Sequence, residues 1–127
     1  MRALSVKQPW ASLIVSGAKD IENRTWCVLN RLSLPMRIYI HASKTEDTYD
    51  YDSLYPRYPD LMASLDFTKG AIIGEVTITG CDLESKSEWY EGPHGFSLAL
   101  AEQYDVPIPC KGSLGFWTPP REVIHGR

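Results

Sequence analysis

The sequence predicts an α+β protein whose core is a small, partly closed β-barrel of about six strands flanked by two to four short helices. Three observations lead there. Short runs of alternating apolar and polar residues recur along the chain, Met36 to Ala42 and Ala71 to Thr79 most clearly. Only brief stretches carry helical spacing, Trp10, Leu13 and Ile14 being the best of them. Gly and Pro punctuate the rest at intervals that suit turns. The strand count alone leaves other α+β folds open.

Arg2 to Val6 alternates in part and predicts a first strand. A helix follows over about Pro9 to Ser16. Proline suits its first position, where no intrahelical N–H bond is needed. Gly17 stands where a left-handed residue would stop that helix. Ile21 to Trp26 is a second strand and Cys27 to Pro35 a loop. Met36 to Ala42 is a third strand, with Met36, Ile38 and Ile40 on one face and Arg37, Tyr39 and His41 on the other. Ser43 or Thr45 can cap a helix there.

The tract from Thr48 to Asp60 carries Tyr49, Tyr51, Tyr55 and Tyr58 and predicts an irregular excursion between helical pieces. Its tyrosines either shield the core or form a lid whose rings stack on a base. Pro59 to Leu65 is a short helix and Ala71 to Thr79 the strongest strand, ended by Gly80. Ser85 or Ser87 begins a helical turn, and Gly92-Pro93-His94-Gly95 is a turn. Phe96 to Ala101 is a strand with a loose end at Glu102-Gln103. Asp105 to Pro109 reads as loop or edge, because its two prolines cannot donate ladder bonds. Gly112 to Trp117 closes the barrel. The expected domain spans 1–120, with 121–127 a ragged tail.

With 127 residues, 43% hydrophobic and 23% charged, the chain has the size and composition of one globular domain. A net charge of −3 argues against a bulk electrostatic binder of duplex nucleic acid, though not against a confined basic cleft. Cys27, Cys81 and Cys110 form no C-x-x-C pair, so a zinc site is not expected, and three free thiols suit a reducing, cytoplasmic compartment. Neither a signal peptide nor an apolar run long enough to span a membrane is read. No metal or cofactor is expected, and a monomer is favoured.

Lys19, Glu22 and Arg24 crowd the start of the second strand. In an extended segment Glu22 and Arg24 share a face; Lys19 joins them only if the chain turns before Asp20. Lys19 is the first catalytic candidate, as a general base when burial lowers its pKa. Glu22 can orient it. Glu75, a carboxylate within an apolar strand, is a candidate acid or base if its face looks into a cleft. Candidate ligand-binding residues are Lys7, Gln8, Trp10, Lys19, Arg24 and His41. Here Gln8 reads a base edge, Trp10 stacks or packs in the core, Arg24 offers a planar fork, and His41 serves as a structural or proton-carrying group. Lys44, Lys111 and Trp117 can extend a basic, aromatic groove.

Gly17-Ala18-Lys19-Asp20-Ile21-Glu22-Asn23-Arg24 matches G-x-K-x-x-E-x-R, and with the opening Leu4-Ser5-Val6-Lys7-Gln8-Pro9-Trp10-Ala11 it resembles the ASCH domain family. Ile40-His41-Ala42-Ser43, Gly70-Ala71-Ile72-Ile73-Gly74 and Lys111-Gly112-Ser113-Leu114-Gly115-Phe116-Trp117 fit the same layout. The resemblance implies a PUA-like barrel and a cleft around the motif that takes RNA, as a single strand or a modified nucleotide. It also implies alternatives. Some compact ASCH-like proteins are amidohydrolases that deacetylate N4-acetylcytidine with a lysine, a threonine three residues later and a glutamate. This chain has Lys19 and Glu75 but Glu22 in the threonine's place. Others cleave RNA, and the coactivators that carry ASCH imply a protein-interaction domain.

Overall fold

The computed structural model describes residues 1–26, 33–46 and 48–126. Six strands form one sheet: β1 (Ala3–Gln8), β2 (Ile21–Arg24), β3 (Met36–Glu46), β4 (Ala71–Asp82), β5 (His94–Pro109) and β6 (Phe116–Trp117). Their order is β2-β5-β4-β3-β1-β6, and only β1 and β3 run parallel. Four short helices accompany them: α1 (Trp10–Val15), α2 (Thr48–Leu54), α3 (Pro59–Ser64) and α4 (Arg121–His125). This is the small α+β barrel expected, in the form of a curled half-barrel.

Side chains rather than a ladder close the curl. Arg24 on edge strand β2 donates from Nη2 to the Ser5 carbonyl of β1 at 3.1 Å. Just past β2, Trp26 meets Phe116 of β6 edge-on at 5.3–5.4 Å spacing to it and to Phe96. The main core lies inside, built from Leu4, Val6, Ile14, Ile38, Ile40, Val76, Ile78 and Phe96, all nearly inaccessible. Alternation produces it: Ile38 and Val76 pair across β3 and β4 and are buried, while their neighbours Arg37, Tyr39, Glu75 and Thr77 are only half-buried. A second cluster of Leu13, Ile21, Leu54, Met62 and Trp89 ties the excursion over 48–64 to α1.

Several boundaries differ from the sequence reading, each for a physical reason. Pro9 is the N-cap of α1, not its first residue. Ser43 and Thr45 cap no helix, because β3 runs on to Glu46. Gly80 does not end β4, since Gly80, Cys81 and Asp82 still pair with Ser97, Phe96 and Gly95. Nor does β5 stop at Ala101: it continues through Pro107 and Pro109. The prolines are tolerated because β2 covers only His94 to Ser97, which leaves the far half of β5 an edge on that side. Ser87 begins a single turn, its carbonyl accepting from the Tyr90 amide at 3.2 Å and its Oγ from the Trp89 amide at 3.2 Å. Most of the tyrosine tract is helical, and the expected ragged tail contains α4. Of the loop expected over Cys27 to Pro35, residues 27–32 lie outside the described residues.

Candidate functional site

The site grows from the stop of α1. Gly17 adopts φ +88°, a left-handed conformation that a side chain would strain. Lys19 then returns, its amide donating to the Leu13 carbonyl at 3.0 Å. This is the turn that the Lys19 side chain requires. Its Nζ donates to the Ile21 carbonyl and lies 3.3 Å from Glu22 Oε1. Period-two geometry does the rest: Arg24, on the same face of β2 as Glu22, binds Glu22 Oε2 through Nη2 at 2.7 Å. One carboxylate thus holds two cations.

Burial sets the chemistry of this triad. Lys19 is 4% exposed and Glu22 7%. Desolvation is the largest influence on the Lys19 ammonium and pushes its pKa below the usual 10.5; Glu22 opposes that shift. The Arg24 Nε is buried with no hydrogen-bond partner among the described residues.

An aromatic array borders the lysine. The Lys19 ammonium stands 5.6 Å from the Trp10 ring centroid. Trp10 packs edge-on against Trp89 at 6.5 Å, and Tyr58 stacks on Trp89 at 5.1 Å and 29°. Arg57 lies 5.2 Å from the Tyr58 ring. Hydrogen bonds hold the array in place, from Trp10 Nε1 to Asp50 at 2.8 Å and from Tyr58 to Glu88 at 2.8 Å. Asn23, on the opposite face of β2 from Glu22, is the staple of the next loop. Its amide donates to the Trp89 carbonyl at 3.0 Å and accepts from the Glu91 and Gly92 amides at 2.8 and 3.0 Å.

Of the predicted residues, the fold brings Trp10, Lys19, Glu22 and Arg24 together and separates the others. Glu75 does not join Lys19. It lies on the other face of the sheet, bound to Arg37 Nε at 2.8 Å and to the Tyr104 hydroxyl, while the adjacent Val76 lines a small pocket with Lys19. Gln8 is fully buried and spends its amide internally: it donates to Ser12 Oγ and the Thr68 carbonyl, each at 2.8 Å, and accepts from the Ser12 amide at 3.0 Å. No edge of it is left to read a base. His41 is buried beneath Trp117, 5.5 Å between ring centroids, with Nε2 2.9 Å from the Cys110 carbonyl and Nδ1 3.2 Å from Ser5 Oγ. A carbonyl only accepts, so Nε2 carries the proton. Desolvation pushes this imidazole's pKa below its usual 6.5, which keeps it neutral. Lys7 stands exposed on β1 between buried Val6 and Gln8.

Sequence reasoning missed Asn23, Asp50, Tyr58 and Trp89 as site-forming residues. Tyr58 alone carried a signal, through its place in the tyrosine tract. Among the described residues no three His, Cys, Asp or Glu side chains are grouped as a metal ion would need. Cys110 is a free thiol. No helix is long and apolar enough to cross a membrane.

The curled half-barrel belongs to a class of protein that comparison identifies. The ASCH domain model matches residues 4–110, and the chain belongs to this family. Among solved structures, the ASCH protein from Zymomonas mobilis has a TM-score of 0.59 at 16% identity, covering 98% of this chain and 90% of that one. A Tyr-to-Phe variant of the same protein gives 0.57 at 18% identity, covering 98% and 94%. These establish likeness of fold. Among curated proteins, activating signal cointegrator 1 is similar, 26% identical from Homo sapiens and 24% from Mus musculus, over 97% of this chain. The chain spans 23% of the length of those relatives.

Proposed function

We propose that this ASCH domain binds RNA as a single strand or modified nucleotide, taking one unstacked base against the Trp10–Trp89–Tyr58 array beside Lys19. The observation that carries the reading is this contiguous aromatic array set against a buried, hydrogen-bonded lysine and carboxylate. Aromatic faces take any base by stacking, and a fixed ammonium and carboxylate can discriminate its edge. Lys19 and Arg24 already share Glu22, and the Glu91 carboxylate also acts on Lys19, so the site is close to charge-balanced and suits a base better than a phosphate.

A second reading, a nucleotide-processing hydrolase, is favoured by one observation, the lowered pKa of Lys19. A lysine that is neutral nearer pH 7 can serve as general base. Glu22 supplies no hydroxyl nucleophile, so water would have to be the attacking group in a deacylation.

One experiment separates these readings. Short single-stranded RNA and a panel of acylated cytidines are incubated with the wild type, Tyr58→Ala and Lys19→Met, with binding read by anisotropy and products by mass spectrometry. The binding reading expects intact substrates and a loss of affinity in Tyr58→Ala of about 5- to 150-fold, from about 1–3 kcal/mol of stacking per base. Products lost in Lys19→Met would make the protein a hydrolase. Equal binding by all three folded proteins, without turnover, would overturn both.

A further inference from the structure

One cavity lies away from the motif. A cleft of about 420 Å³ lies between the segment 66–68 and the second half of β5, with α1 as its back wall through Ser12. We propose that this cleft binds a small organic cation bearing amine groups, of the size of a di- or triamine.

Its volume falls in the range of small-molecule sites, roughly 300–1,000 Å³. The walls are fixed rather than loose. Ser12 Oγ donates to the Asp66 carbonyl at 2.7 Å, and Gln8 Nε2 donates to the Thr68 carbonyl at 2.8 Å. Gln8, Ser12 and the 66–68 backbone therefore form one buried hydrogen-bonded corner, which gives Gln8 a role that base reading does not. Ile73 and Pro107 add apolar surface on which a methylene spacer can lie. Tyr104, whose hydroxyl donates to Glu75, contributes an aromatic ring that attracts an ammonium.

Charge selects the ligand. Asp66 and Asp105 line the cleft, no lysine, arginine or histidine does, and neither aspartate side chain has a hydrogen bond or ion pair among the described residues. Two uncompensated carboxylates repel a phosphate and leave a neutral ligand no advantage. With no third ligating group beside them they make no metal cage. An ammonium at each end of a short aliphatic chain answers both carboxylates and the apolar surface between the walls.

The test is calorimetric titration of the full chain with putrescine and with spermidine at low salt, repeated with Asp66→Asn/Asp105→Asn. Asp52→Asn/Asp60→Asn, which removes equal charge from exposed positions away from the cleft, is the control. The expected result is saturable binding by the wild type and the control, and binding at least tenfold weaker in the cleft variant at unchanged thermal stability. No saturable binding by the wild type overturns the proposal. So does unchanged affinity in the cleft variant, an equal loss in the control, or full competition by magnesium chloride at matched ionic strength. Because none of these residues belongs to the Lys19 site, RNA binding can fail or succeed independently.

Discussion

Arg24 is better described as a latch than as a fork held out for a ligand. Its Nη2 reaches both Glu22 and the Ser5 carbonyl, joining the two edges of the curled sheet where no ladder does so. Ser5 continues the connection, since its hydroxyl accepts from Trp117 Nε1 at 3.1 Å and meets His41 Nδ1. The motif arginine is thereby coupled to β1, β3 and β6. Removing it leaves Glu22 with one cation and takes from the Ser5 carbonyl its side-chain donor. Arg24→Ala should lose about 1–3 kcal/mol in chemical denaturation, the range for an unsatisfied buried polar group. Arg24→Lys should recover only part, because an ammonium on a shorter, flexible stem does not take the position that the rigid guanidinium gives Nη2 between both acceptors. An alanine variant within about 0.5 kcal/mol of the wild type would show that the latch is incidental.

At the scale of elements, the site depends on how one loop is pinned to β2. Asn23 faces away from the triad, yet it holds Trp89 through that residue's carbonyl and turns the loop through the Glu91 and Gly92 amides. Asn23→Ala should therefore speed hydrogen exchange at the Glu91 and Gly92 amides and weaken RNA binding, while amides of β3 and β4 keep their protection. Unchanged exchange at those two amides would mean that the aromatic stack alone fixes the loop. This dependence also explains what the sequence made legible. Period-two alternation marked β3 and β4, and Gly17 marked the stop of α1, because those signals are local. Glu22 and Arg24 were placed together by the same period. Trp89 and Asn23 were not, since their partnership spans 66 residues and no pattern announces it. Glu75 misled because alternation tells which residues share a face but not which face looks at α1. Pro107 and Pro109 left loop and edge strand both open, because edge status is conferred by the shortness of β2, a property of another strand.

Over the whole molecule, charge and site tell the same story about the partner. The chain carries a net charge of −3, and its motif cations are committed inside the fold, Lys19 to Ile21 and Glu22 and Arg24 to Glu22 and Ser5. The cleft beside Ser12 adds two carboxylates to the surface near α1. Beside the aromatic array, Arg57 against the Tyr58 ring is an exposed cation that can meet a phosphate. Affinity for a single strand would then come from stacking and edge contacts, which release few counterions. For single strands the logarithm of the binding constant falls with the logarithm of salt by about 0.7 per phosphate contacted. A protein reading one base through the array should show a slope of magnitude below about 2, corresponding to at most about three phosphates. Titrations of a fluorescent single-stranded RNA from about 50 to 200 mM salt would measure it. A steep slope, with Tyr58→Ala binding as the wild type does, would place the strand on a basic surface elsewhere and remove the aromatic array from the account of recognition.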